Sequence, residues 1–163
     1  MTFLAGEVFL RVAVNQDAMD DQKTFKALVL LGAVPFAVAA GALLVGVTSL
    51  PLVGDTRTAL ALYGLTIVCF LTGIHWATQL YKPEATPFNL FVISNVVFLA
   101  ALGAYLAAPF RVAMVVLIAA LVATFFIDLK MRPSAIFSAG YLRVRMVATV
   151  IGSLALLVAI ATG

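Results

Sequence analysis

Five apolar runs, separated by short polar breaks, set the rhythm of this chain. They cover about 27–49, 58–80, 88–106, 111–127 and 144–161. Each predicts one α-helix of roughly 26–35 Å, close to the ~30 Å of a bilayer's hydrocarbon core. The breaks carry turn chemistry. Pro51-Leu52-Val53-Gly54-Asp55 precedes Thr56 and Thr58, either of which is placed to cap the second helix. Two prolines mark the break from Tyr81 to Pro87, and Pro109 suits the first turn of the fourth helix. The longest loop runs from Asp128 through Gly140, after which Tyr141-Leu142-Arg143-Val144-Arg145 leads into the fifth run. Pro35, inside the first run, predicts a kink because it removes a backbone donor. Small residues recur every four positions at Ala33, Ala37 and Gly41, at Ala119 and Ala123, and at Ala148 and Gly152, a spacing that permits close helix approach.

Composition turns these helices into membrane spans. The chain is 64% hydrophobic and only 10% charged, with a mean hydropathy of +1.17, whereas a soluble domain carries about 25% charged residues. The fold expected is all-α: a polytopic membrane protein with a bundle of five transmembrane helices, 27–163, packed as one domain. Its first partner is therefore the lipid bilayer. No basic run interleaved with aromatics points to nucleic acid. A single cysteine, Cys69, excludes an intramolecular disulfide. One histidine cannot close a tetrahedral metal site and the five methionines do not cluster, so no metal and no cofactor are expected.

The charges also orient the chain. With five spans, one side takes Arg11, Lys23, Lys26, Lys82, Lys130, Arg132, Arg143 and Arg145, and the other takes only Arg57 and Arg111. That asymmetry predicts an N-terminus inside and a C-terminus outside. Residues 1–26 form a cytoplasmic tail holding Glu7, Arg11, Asp17, Asp20, Asp21, Lys23 and Lys26. Its apolar patch is too short and too charged to span. Two readings stand side by side: a helix on the membrane surface starting from Met1, or an ordinary polar tail starting at Met19.

Several local patterns then coincide. Leu31-Gly32-Ala33-Val34-Pro35-Phe36 lies in the first run, Gly73-Ile74-His75-Trp76 ends the second, Asp128 closes the fourth, and Tyr141-Leu142-Arg143-Val144-Arg145 opens the fifth. Together they resemble the domain-of-unknown-function 3429 family, five-span proteins that include eukaryotic transmembrane protein 69. The resemblance covers about residues 27–162. Thr72 stands where the family pattern Gly-Gly-x-His-Trp has its first glycine. It implies a multi-pass protein of the bacterial inner membrane, or of the mitochondrial inner membrane in a eukaryote, and it brings no activity with it.

The candidate chemistry lies at one end of the bundle. The second run carries the only His and the only Trp, and at 100° per residue Thr72, His75 and Gln79 share a face. Chain alternation brings His75, Trp76, Gln79, Asn95, Asp128, Arg143 and Arg145 to the same leaflet. Asp128, at the unfavourable end of a helix dipole, is expected to pair with Arg143 or Arg145. One reading makes these residues a polar pocket open to the cytoplasmic leaflet, able to hold a lipid head group, a quinone carbonyl or a proton, with His75 facing the bundle interior. The blander one makes Trp76 and Tyr141 interface aromatics, lets the arginines snorkel to phosphates, and satisfies His75 with Thr72, a carbonyl or another span's polar group. Function divides the same way. The leading expectation is an accessory, assembly or interaction protein of a larger membrane complex or homo-oligomer, without a catalytic motif. The alternative is a lipid- or quinone-binding protein, or an enzyme acting on one, around His75. A small transporter is third, since only Pro35 breaks a span.

Overall fold

The computed structural model describes residues 23–163 apart from Phe25, Leu52 and 132–136. Both readings of the first twenty-two residues, together with Arg11 and Arg132, lie outside the described residues. Each apolar run forms one helix long and apolar enough to cross a membrane: α1 Lys26–Leu44, α2 Thr56–Tyr81, α3 Leu90–Ala107, α4 Phe110–Lys130 and α5 Ala139–Ala161. The class is all-α as expected. The other regular elements among the described residues are a short 3-10 turn, Pro83–Ala85, and a minimal antiparallel pair, β1 Ser49–Leu50 with β2 Gly54–Asp55.

The helix ends differ from the apolar boundaries, and local hydrogen bonding explains why. α1 stops at Leu44, short of the expected Ser49, because Gly46 takes a left-handed φ of 81°. Val47 N–H then reaches back to the Ala42 carbonyl at 2.8 Å and Gly46 N–H to Leu43 at 3.1 Å, closing the helix with a glycine cap. The cap of α2 is Asp55, not a threonine, and Thr58 is the donor. α5 begins earlier than expected, at Ala139, because the Ser138 hydroxyl accepts the Tyr141 N–H at 3.1 Å. α4 runs on past Ile127 to Lys130. These extensions matter, since they carry Asp128 and Arg143 inside helices and set Arg145 deeper from the start of its own.

The interruption of α1 falls two to three residues before its proline. Regular helix lapses at Gly32–Ala33 and resumes at Val34, with Pro35 at the start of the new segment. Pro35 has no N–H to offer the preceding turn. A side chain from α2 fills part of the gap: Tyr63 donates its hydroxyl to the Gly32 carbonyl at 2.7 Å. Its ring meets Phe36 edge-on, 5.0 Å between centroids.

α2 is the hub. It packs on every other helix, while α3, α4, α5 and α1 follow one another around it. Leu60, Val68, Met114, Leu117, Leu121 and Leu156 fill the shared core and are fully buried. The small-residue repeats are used unevenly. Ala33 is buried, and a Cβ on Gly152 would come within 3.3 Å of the Phe36 ring. Ala37, Gly41 and Ala119 instead face outward, among exposed Leu28, Leu62, Phe70, Val96 and Phe126. So large an apolar exterior suits lipid, not water.

Candidate functional site

Three charged or titratable side chains from three helices meet at one end of the bundle, where α2 and α4 finish and α3 and α5 begin. His75 sits six residues before the end of α2, and Arg145 six residues past the start of α5. Each is thus about 9 Å along its helix from that end. Asp128 lies in the last turn of α4. All three are buried, with His75 and Asp128 at 1% exposure and Arg145 at 4%.

The carboxylate is the centre. Asp128 Oδ1 lies 2.7 Å from His75 Nε2, and Oδ2 lies 3.2 Å from Arg145 Nε. A carboxylate only accepts, so Nε2 carries the proton in the first contact. The second is a charge pair, not a hydrogen bond, because the Nε–H is not aimed along the short distance. Arg145 spends its fork elsewhere. Nη1 donates to Thr149 Oγ1 at 2.7 Å and Nη2 to Thr124 Oγ1 at 3.1 Å. Each threonine passes its own proton to a helix carbonyl, Thr149 to Arg145 and Thr124 to Leu121. Tyr141 completes the ring of donors, its hydroxyl at a long 3.5 Å from Asp128 Oδ2. A buried ion pair needs this much satisfaction, because desolvation otherwise outweighs the mutual attraction. Two buried nitrogens of the cluster lack a hydrogen-bond partner among the described residues: Arg145 Nε, which has only the charge pair, and His75 Nδ1.

Sequence reasoning brought three of these residues to the right place and missed the rest. The pairing expected for Asp128 is made by Arg145, while Arg143 is exposed. Arg145 does not snorkel. Thr149 lies one turn further from the helix start, so the guanidinium is anchored toward the bundle interior. Thr72 does not serve His75 either, since its hydroxyl bonds the Val68 and Cys69 carbonyls of its own helix. Gln79 caps the neighbouring helix, its Oε1 accepting Leu90 N–H at 2.7 Å and the Thr86 hydroxyl at 3.2 Å. Asn95 is exposed and bonds the Phe91 carbonyl. Trp76, 47% exposed, stacks edge-on with Phe91. Thr124 and Thr149 carried only a weak signal, each four residues from a charge (Asp128 and Arg145) on the same helix. Tyr141 reads as an interface aromatic but is buried against the cluster.

A groove of about 250 Å³ runs beside this cluster between α1, α2 and α5. Leu28, Gly32, Phe36, Phe70, Ile74 and Ala148 supply most of its apolar wall, and Tyr141, Arg145 and Thr149 form its polar part. The break at Gly32–Ala33 lies along it, and Leu28 and Phe70 are exposed at its open side. His75 does not line the groove. It reaches the groove's polar wall only through Asp128. Among the described residues no three His, Cys, Asp or Glu side chains come together as a metal would require.

The family model described as protein of unknown function, DUF3429, matches residues 22–161. The chain belongs to that family. Comparison with curated proteins and with solved structures gives no match.

Proposed function

We propose that this protein is a multi-pass membrane protein that binds an amphipathic, lipid-like molecule from the bilayer, with its tail along the groove and its polar head against Tyr141, Arg145 and Thr149. One observation carries the reading: an apolar groove open on one side ends on Tyr141, Thr149 and an arginine held by a buried ion pair. Apolar pockets with a few convergent polar groups are the common form of a ligand site. At about 250 Å³ the groove falls below the roughly 300–1,000 Å³ of enclosed ligand sites, so part of a longer molecule would lie in the surrounding lipid.

The orientation proposed is N-in and C-out. Arg145 is committed to Asp128 and no longer counts as a flanking charge, yet the remaining lysines and arginines still favour that side. A reporter fused after Gly163 should then read external. The membrane we propose is the bacterial inner membrane or its mitochondrial counterpart.

The direct test is extraction in mild detergent followed by mass spectrometry of the bound lipids. A lipophile should co-purify at near one per chain and be depleted at least fivefold in Ala148→Phe, which narrows the groove and leaves both residues of the ion pair unsubstituted. Equal retention by both proteins would sink the reading.

A second reading, an accessory protein docking onto another span, is favoured by the outward position of Ala37 and Gly41 on one face of α1. A stoichiometric protein partner lost on Gly41→Leu would support it.

A further inference from the structure

We infer that the head group this groove accepts is a neutral carbonyl, of the kind a quinone carries, and not the phosphate of an anionic lipid. The inference rests on the lipid-binding reading above and narrows it to one chemistry. Two observations point the same way.

The first is charge. The groove's polar wall contains one full positive charge, on Arg145, and that charge is matched at 3.2 Å by Asp128. Phosphate sites are built the other way, with cations or helix amides left in excess so that an incoming anion is compensated. Here an anion placed on Arg145 would also meet the Asp128 carboxylate next to it. A neutral acceptor meets no such repulsion. It gains a hydrogen bond from the polar wall and leaves the ion pair intact. Five N–H protons are carried by an arginine guanidinium. The Thr149 and Thr124 bonds use one on each Nη, so each Nη keeps a second proton.

The second is depth. Arg145 begins about 9 Å along α5 from its first residue, and its two Nη atoms bond Thr149 and Thr124 on the interior side. A phosphate would have to leave the interfacial layer to reach them, losing its hydration. A quinone ring already resides among apolar chains and brings only weak acceptors. The apolar wall beside it, with Phe36, Phe70 and Ile74, offers faces for a planar ring.

The experiment uses the full chain in nanodiscs of zwitterionic lipid, with a decyl-chain benzoquinone as one probe and phosphatidylglycerol as the other. Expected on the unaltered chain is saturable quinone binding near one per chain that a tenfold excess of phosphatidylglycerol does not displace. Ala148→Phe should weaken quinone binding at least tenfold. Asp128→Asn keeps the acceptor for His75 but leaves Arg145 unbalanced, so phosphatidylglycerol should now compete at least tenfold better than on the unaltered chain. Should Asp128→Asn not fold, the competition on the unaltered chain and the Ala148→Phe result still decide the matter. Displacement of the quinone by phosphatidylglycerol on the unaltered chain, or saturable binding of phosphatidylglycerol alone, overturns the neutral-head inference and leaves the groove reading standing. Binding of both probes that ignores Ala148→Phe, or binding of neither, overturns both.

Discussion

Asp55 and Asp128 are the same side chain put to opposite uses. Asp55 stands at the start of α2, exposed, and both its partners come from Thr58: the N–H at 2.7 Å and the hydroxyl at 2.7 Å. Asp128 is buried, and its hydrogen-bonded partner His75 lies 53 residues away on another helix. The first is a helix cap, where solvent shares the burden of the charge. The second is a charge removed from solvent, where every lost partner leaves a deficit that nothing repairs. The contrast teaches that a carboxylate's energetic weight follows its surroundings, not its type.

The sharpest way to break that contrast is to truncate the buried member. Asp128→Ala leaves Arg145 charged and unpaired, and its expected cost is about 3–5 kcal/mol. The double variant Asp128→Leu with Arg145→Met should recover part of that loss, because it removes both charges together while still leaving buried His75 without its acceptor. Detergent-induced unfolding followed by helical circular dichroism measures both. A cost for Asp128→Ala no larger than for truncating Asp55 would show that the buried cluster is not holding the bundle together.

A middle effect is expected at His75. His75→Leu leaves Asp128 Oδ1 without its donor, at about 1–3 kcal/mol. His75→Gln retains an N–H donor and should cost less than the leucine variant in the same unfolding titration. If the two substitutions cost the same, the His75–Asp128 hydrogen bond contributes nothing beyond packing.

The smallest effect belongs to Asp55. Asp55→Ala removes the cap of α2 and should cost about 1 kcal/mol. Its hydrogen bonds to the Thr58 hydroxyl, and then to the Thr58 N–H, lower its pKa from the ordinary value of 3.8. A folded value below the unfolded one means the cap contributes above pH 3.8 and its contribution is lost as pH falls through the folded value. Stability measured from pH 6 down to pH 3 should therefore decline slightly less for Asp55→Ala than for the unaltered chain. A steeper decline in the variant would contradict the cap's assignment.

Much of the architecture was legible in the residue order. Apolar run length specifies five helices because each must satisfy its own backbone wherever water is absent. Pro35 announces a break, whereas the caps were misplaced: Asp55, not Thr56 or Thr58, caps α2, and Ser138 starts α5 well before the apolar run does. Run length and the proline break are local, and the sequence displays local chemistry directly. Depth along the helices was legible too, which is why His75, Asp128 and Arg145 could be brought to one end of the bundle before any packing was known.

Rotation about each helix axis was not. The spans are apolar almost all round, so periodicity does not say which polar residue turns inward and which turns to lipid. Asn95 and Trp76 share the depth of His75 yet face out, and Gln79 is consumed in capping α3. Arg143 and Arg145 differ by two positions, roughly 200° around a helix. Only packing against α2 and α4 decides that Arg145 is the one buried against Asp128. The groove, likewise, is lined by residues of α1, α2, α4 and α5, including the break at Gly32–Ala33, a relation between four helices that no single stretch of sequence contains.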